Sequence, residues 1–373
     1  MKELQDIIAA VDILEETGEQ AALATLVKVS GSTYRSPGAR MLIQNDGNSI
    51  GAISGGCLEG DVLEKAQTVI QSSTPIVVKY DTTSEDDMIW GLGLGCQGVA
   101  YILIEPLELH QLQILKFIQS CIANRNHDAI APSFPLAIAT VISVEDKIKG
   151  ENKTQVGESL LLSGDTFINN LSINNLRNHH LLEKVVSDSQ IALQKRYSTI
   201  KEYQLLTEKI EVFIEIIQPP LSLIIFGAGY DVLPLINFAK QLGWDVTVVD
   251  NRQRENSKTR FLQADKIHLS SPEDVLENIK ITEMSFGVVM SHNYLDDLEM
   301  LKQLLPLSLN YLGILGPRKR TNRLLQELQE EGIVPSSNIY SPVGLEIGAD
   351  NAEEIALSIV AEIQAVYSQH QQV

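Results

Sequence analysis

Cysteine is scarce in this chain, three among 373 residues. So few thiols in so long a chain build no disulfide framework, and the expected setting is a reducing cytoplasm. Positive charge is also in short supply. Lys and Arg number 29 against 48 Asp and Glu, and the net charge of −19 repels nucleic acid and anionic membrane. No uninterrupted apolar run approaches the roughly 18 residues of a membrane span. The opening MKELQDIIAAVDILEETGE is an acidic amphipathic helix, unlike a signal or transit peptide. These absences leave small molecules and proteins as partners. The acidic surface does not exclude self-association, and the expected state is a homo-oligomer.

What is present divides the chain in two. The length exceeds one ordinary core. From residue 219 onward, LSLIIFGAGYDVLPLINFAKQLGWDVTVVDNR reads as a buried strand, a turn at Gly227 and Gly229, a helix and a second strand. That βαβ unit opens a doubly wound parallel sheet. In such a turn Gly227 makes the bend, Gly229 lets a phosphate approach the helix N-terminus, and Asp250 ends the second strand where a ribose is usually read. NAD(P) or another nucleotide is therefore a candidate ligand. Against it, Val232 stands where the fingerprint has Gly or Ala, and Pro234 follows in the first turns. Further strands FGVVM and YLGIL place His292 and Arg318 at the carboxyl edge of the sheet, where open α/β folds bind ligands. Arg318, Lys319 and Arg320 form a candidate anion clamp. The last helix has Asp350 or Asn351 as its expected N-cap.

Residues 1–218 are expected to be an α+β domain built from an internal repeat, with halves at about 21–107 and 136–218. Ala22, Ala24 and Thr25 recur as Ala137, Ala139 and Thr140, Gly38 and Leu42 as Gly157 and Leu161, and Tyr80 as Tyr197. YILIEPL matches VFIEIIQ. Three motifs, GSTYRSPGAR, SGGC and GLGLGC, occur in the first copy only. Motifs needed for folding should survive in both copies, so their restriction to one copy points to chemistry.

Two of those motifs carry cysteines. Cys57 follows Ser54, Gly55 and Gly56 and precedes a helix-like stretch, while Cys96 ends WGLGLGC. A thiol among outward-pointing amides at a helix start tends toward thiolate, the nucleophile and metal ligand. Together they suggest one site for a soft or electrophilic ligand, with catalysis or metal ligation assigned to Cys57 and Cys96. The alternative is two small buried hydrophobes. Cys121, in LQILKFIQSCIA, reads as core packing.

With these motifs in hand, the chain resembles the xanthine dehydrogenase accessory factor family, XdhC/CoxI. The likeness rests on GSTYRSPGARM, ISGGCLEGDV, WGLGLGCQG, IFGAGY, VTVVDNR, MSHNYLD, YLGILGPRKR and SPVGLEIGADNAEEIALSI. The resemblance implies a cytoplasmic helper, a maturation factor more than a turnover enzyme, that binds molybdenum cofactor (molybdopterin), supports its sulfuration and delivers it to a xanthine dehydrogenase-type molybdenum enzyme. A sulfur-donating desulfurase is the second partner it implies. Cys57 and Cys96 would lie near the metal or its dithiolene, since soft sulfur ligation suits thiolate neighbours. The pterin phosphate would suit the amides of Gly55 and Gly56 and the guanidinium groups of Arg35, Arg40 or Arg318. The chain departs from the family pattern at Gln97, at Tyr230-Asp231-Val232 and at His292-Asn293. An NAD(P)-dependent oxidoreductase using a reactive cysteine is the competing reading.

Overall fold

The structure is a computed structural model that describes residues 1–82, 98–123, 134–146, 154–164, 166–167, 175–206, 208–250, 257–277, 279, 281–282, 284–335 and 338–371. The chain forms two compact units, Glu3–Pro219 and Pro220–Val373 with Met1–Lys2. No helix among the described residues is long and apolar enough to cross a membrane.

The first unit is one pattern written twice. Helix α1 (Lys2–Thr17) precedes strands β1 (Ala21–Gly31), β2 (Arg40–Gln44) and β3 (Ser49–Gly51), helix α2 (Glu59–Ser72), and strands β4 (Ile76–Asp81) and β5 (Gly98–Pro106). Helix α3 (Leu109–Ala123) then opens a second series: β6 (Leu136–Asp146), β7 (Ser159–Ser163), β8 (Thr166–Phe167), α4 (His179–Lys195), β9 (Thr199–Gln204) and β10 (Glu208–Ile217). The sheets have the same order, β3-β2-β1-β5-β4 and β8-β7-β6-β10-β9. The repeat is thus larger than its strands suggested, because each copy begins with a helix. Even the irregularities repeat. The β1–β5 ladder slips between Leu26 and Lys28, and the β6–β10 ladder slips between Glu211 and Val212, the residue opposite Val141. The extra residues at these bulges, Val27 and Ile142, pack with Leu103 and Phe213 in a small core shared by the two copies.

Register refines the alignment. Thr25 lies opposite Arg40 and Leu103, and Thr140 opposite Ser159 and Phe213. Leu23 faces Glu105 as Ile138 faces Glu215, so Arg40 corresponds to Ser159 and Glu105 to Glu215. Tyr80, opposite Ala100, corresponds to Tyr203, opposite Ile210, and not to Tyr197. Each sheet buries one face against its own helix. Ala22, Ala24 and Leu26 pack with Val62, Ala66 and Val69 of α2, and Ala137, Ala139 and Val141 with Leu181 and Val185 of α4. Helices α1 and α3 run antiparallel, tied by Asp12 to Gln119 at 2.8 Å and Glu15 to Lys116 at 2.7 Å.

The second unit has a six-stranded sheet, all parallel, in the order β13-β12-β11-β14-β15-β16. Its strands are β11 (Ser222–Phe226), β12 (Asp245–Asp250), β13 (Lys266–Leu269), β14 (Ser285–Val289), β15 (Tyr311–Ile314) and β16 (Ile339–Tyr340). This is the doubly wound order expected from the glycine turn. Helices α5 (Val232–Gln241), α6 (Ser257–Arg260), α7 (Tyr294–Leu304), α8 (Arg318–Glu330) and α9 (Ala352–Gln371) complete the unit. Alternate residues of β11 feed opposite cores. Leu223 and Ile225 meet α5 and α9, while Ile224 and Phe226 meet α7 and α8. Such burial on both faces is why these strands read as continuous apolar runs. Pro234 fits in the first turn of α5, where the N–H groups have no intrahelical partner. Asn351 accepts from Glu354 N at 2.9 Å and Glu354 accepts from Asp350 N at 2.8 Å, fixing Asn351 as the cap of α9.

Candidate functional site

In the first copy, β1, β3 and β4 end, and β2 and β5 begin, at one end of the antiparallel sheet. Of the sequence motifs restricted to this copy, GSTYRSPGAR and SGGC lie in the loops at that end, and GLGLGC lies outside the described residues. The Tyr34 ring of GSTYRSPGAR lies against Gly55 of SGGC, where an added Cβ would stand 3.4 Å from the ring. Gly98, the last residue of WGLGLGCQG, is packed so closely on Ser32 that a Cβ would fall 2.4 Å from the Ser32 carbonyl oxygen. Thr82 Oγ1 donates to Gly98 O at 2.8 Å. Cys96, two positions before Gly98 in the chain, lies outside the described residues.

Cys57 is half-buried, with its Sγ 3.5 Å from Ser54 Oγ. Gly56 takes φ +105°, a conformation that glycine adopts freely. The amides of this turn have a partner that the sequence reading missed. Glu59, in the first turn of α2, accepts from Ser54 N at 2.8 Å, Gly56 N at 3.1 Å, Leu58 N at 3.2 Å and the Ser54 hydroxyl. Partial burial works to raise the Glu59 carboxyl, but the bonds from the Ser54 side chain and the backbone amides outweigh it and hold it below its ordinary value. The Gly55-Gly56 turn is therefore built around an internal carboxylate, leaving Cys57 as its chemically distinctive side chain. A carboxylate two residues after a cysteine, at a helix start, was the available signal.

The two arginines of the neighbouring motif are engaged within the fold. Arg35 Nη2 donates to Glu3 Oε2 at 2.8 Å, and Glu3 also accepts from Arg40 N at 2.9 Å. Arg40 was expected near a phosphate. Its guanidinium is instead buried and donates to both oxygens of Glu215, from Nη1 at 2.7 Å and from Nη2. Removing that charge from water is compensated by this two-point pairing. Burial lowers the Arg40 pKa and Glu215 outweighs it, with a net upward shift. Cys121 is buried as expected, its thiol pushed up to about 11 by desolvation.

At the carboxyl edge of the parallel sheet, Gly227 has φ +145° and an added Cβ would lie 2.4 Å from Met290 O. Strand packing alone therefore demands this glycine. Gly229 borders a polar pair, His292 Nε2 with Asp231 Oδ2 at 2.7 Å. His292 adopts φ +61°, unusual for a residue with a side chain, at the turn between β14 and α7. Asn293 caps α7, accepting from Leu295 N at 2.9 Å, which accounts for asparagine after His292. The basic cluster divides. Arg318 and Lys319 are exposed in the first turn of α8, while Arg320 Nη2 pairs at 2.7 Å with buried Asp297, which also binds Ser291. Asp250 is buried at the end of β12, and residues 251–256 beyond it lie outside the described residues. Arg260 lies over the exposed Tyr230 ring at 5.0 Å and donates to Ala228 O at 2.9 Å. Among the described residues no three His, Cys, Asp or Glu side chains converge as a metal site.

Comparison with known proteins gives consistent results. The family model described as the XdhC Rossmann domain matches residues 223–363, and that of the XdhC and CoxI family matches residues 14–81. The chain is 33% identical over 353 residues to a Bacillus subtilis protein named as a probable xanthine dehydrogenase component, spanning 95% of each chain. It is 30% identical over 95 residues to the molybdenum cofactor insertion chaperone PaoD of Escherichia coli, 26% of this chain and 29% of that one. A crystal structure from Bacillus halodurans, described as a xanthine dehydrogenase, has TM-score 0.75 and 35% identity, covering 97% of this chain and 96% of that chain.

Proposed function

The chain belongs to the XdhC and CoxI family of xanthine dehydrogenase accessory factors, and from that premise we propose that it is a maturation factor with molybdenum cofactor as its cargo. Its client is a xanthine dehydrogenase-type molybdenum enzyme, and a sulfur-donating desulfurase supplies the sulfido ligand before delivery. The observation that carries this reading is the packing of the copy-specific motifs at one sheet end, Gly98 on Ser32 and Tyr34 on Gly55, two residues before a half-buried thiol. Cys57 offers a soft donor to a sulfur-ligated metal. Cys96 is the proposed second thiol. PaoD, the relative named as an insertion chaperone, supports the cargo assignment.

The donors define which part of the cargo this loop fits. The Ser54, Gly56 and Leu58 amides already bind Glu59, and Arg35 and Arg40 bind Glu3 and Glu215. The front loops thus suit the metal end of the cofactor better than its phosphate. In the Rossmann unit, Gly229, His292 and exposed Arg318 are the proposed contacts for a phosphate-bearing ligand, NAD(P) or another nucleotide included. There the Asp231 carboxylate beside Gly229 selects against phosphate unless His292 offsets it.

The test is metal analysis and pterin fluorescence of the full chain purified from cells that make molybdenum cofactor. Retained molybdenum and pterin support the reading. NAD(P)H-dependent turnover without either would replace it with an oxidoreductase.

A further inference from the structure

The two copies of the first unit meet through reciprocal features, one of which is incomplete. On one side Arg40 of β2 reaches Glu215 of the other copy. At the corresponding positions stand Ser159 and Glu105. Ser159 carries no charge, and its hydroxyl meets His110 Nε2 at 2.7 Å. Glu105, only 7% exposed, meets the Gln111 amide at 3.3 Å where Glu215 meets a guanidinium.

The backbone still makes room for both glutamates. A Cβ at Gly38 would lie 2.9 Å from Glu215 Oε1, and a Cβ at Gly157 would lie 3.0 Å from the Pro75 ring and 3.2 Å from Glu105 Oε1. Both glycines have positive φ, 98° and 88°. The accommodation for a cross-copy carboxylate is thus kept twice and the cation once. A cavity of about 50 Å³ lies here, where Glu105, Gln111, Ser159, Arg40 and Glu215 stand among apolar side chains such as Leu115 and Phe213. With Glu105 ionised, its walls hold two carboxylates and one guanidinium.

We propose that this cavity is a binding site for one small hydrogen-bond-donating cation of the guanidinium type, held by Glu105 where an arginine at position 159 would reach. Size agrees with the chemistry. One water needs roughly 10–15 Å³ of such space, so the cavity takes a few non-hydrogen atoms, about the size of one carbon with three nitrogens. The planar cation would donate two parallel bonds to Glu105, as Arg40 does to Glu215.

A proton competes for the same carboxylate. Burial raises Glu105 to about 7, with Gln111 and Arg40 opposing. Among the described residues, the charged groups that face it are Arg40 and Glu215, with Glu3 beyond Arg40 and His110 on Ser159.

Titration calorimetry of the full chain with low-millimolar guanidinium chloride, against equal sodium chloride, tests the site. Saturable binding is expected at pH 8, weakened about tenfold at pH 6, where roughly a tenth of Glu105 is ionised. Ser159→Arg should abolish binding by filling the cavity from within. Glu105→Gln, which keeps the shape, should abolish it with the fold intact and decides the matter if the arginine variant fails to fold. The absence of saturable binding at pH 8, or undiminished binding in Glu105→Gln, overturns the proposal.

Discussion

Replacing Glu105 with glutamine removes a titration that the fold places in a buried setting. The folded-state value of about 7 stands above an ordinary 4.5, because desolvation outweighs the Gln111 bond and the attraction of Arg40. A raised carboxyl favours the protonated folded state. Its contribution is fully present below the ordinary value and is lost as pH rises through about 7. At 1.36 kcal/mol per unit, the loss is on the order of 3 kcal/mol. Glutamine mimics the protonated carboxyl and does not titrate. Glu105→Gln should therefore come within about 1 kcal/mol of the parent at pH 4.5–5 and exceed it by about 3 kcal/mol at pH 8. For a unit of this size that is roughly 2–4 °C in Tm per kcal/mol. Thermal unfolding across pH 4.5–8 in sodium-only buffer is the assay. A constant difference between variant and parent across that range would refute the reasoning, as would a variant less stable at pH 8.

Three further outcomes follow from the same contacts. Arg40→Ala leaves Glu215 buried without its cation and should cost about 3–5 kcal/mol by denaturant unfolding, whereas Arg40→Met with Glu215→Met should recover most of it. Glu59→Ala frees the Ser54, Gly56 and Leu58 amides, and should cost about 1–3 kcal/mol and speed alkylation of Cys57. Gly227→Ala should destabilise the stretch of sheet around Met290 by about 2 kcal/mol or more, even with no ligand present, measured by hydrogen exchange at β11 and β14.

Much of the architecture is legible along the chain, for a physical reason. Strands buried on both faces, such as SLIIF and SFGVV, are continuous apolar runs, and the glycine turn between strand and helix fixes their order. The internal repeat shows because Ala22, Ala24 and Thr25 face the same kinds of neighbour as Ala137, Ala139 and Thr140. What stays hidden depends on long-range pairing. Arg40 meets a glutamate 175 positions away, so its local setting at a strand start resembles that of an exposed charge. Glu105 looks like any strand-end acid until the registers of the two copies are aligned, when it corresponds to Glu215 and Ser159 stands at the position of Arg40. Glu59 is a different case, since its bonds are local. The glycines drew attention to the turn, and the carboxylate that shapes it stood two residues past the cysteine. In the Rossmann unit, the pairing of Asp231 with His292 joins two departures from the family pattern into one contact across the ends of neighbouring strands.

The central claim is that the Cys57 loop holds molybdenum cofactor. The most direct measurement is molybdenum and pterin per chain for the parent and for Cys57→Ser, both purified from cells that make the cofactor. Serine keeps the size of the side chain and replaces a soft donor with a hard one. The account predicts near-stoichiometric cofactor in the parent and a sharp fall in the variant with unfolding unchanged. Equal cofactor content in the two proteins, or none in the parent, would contradict it.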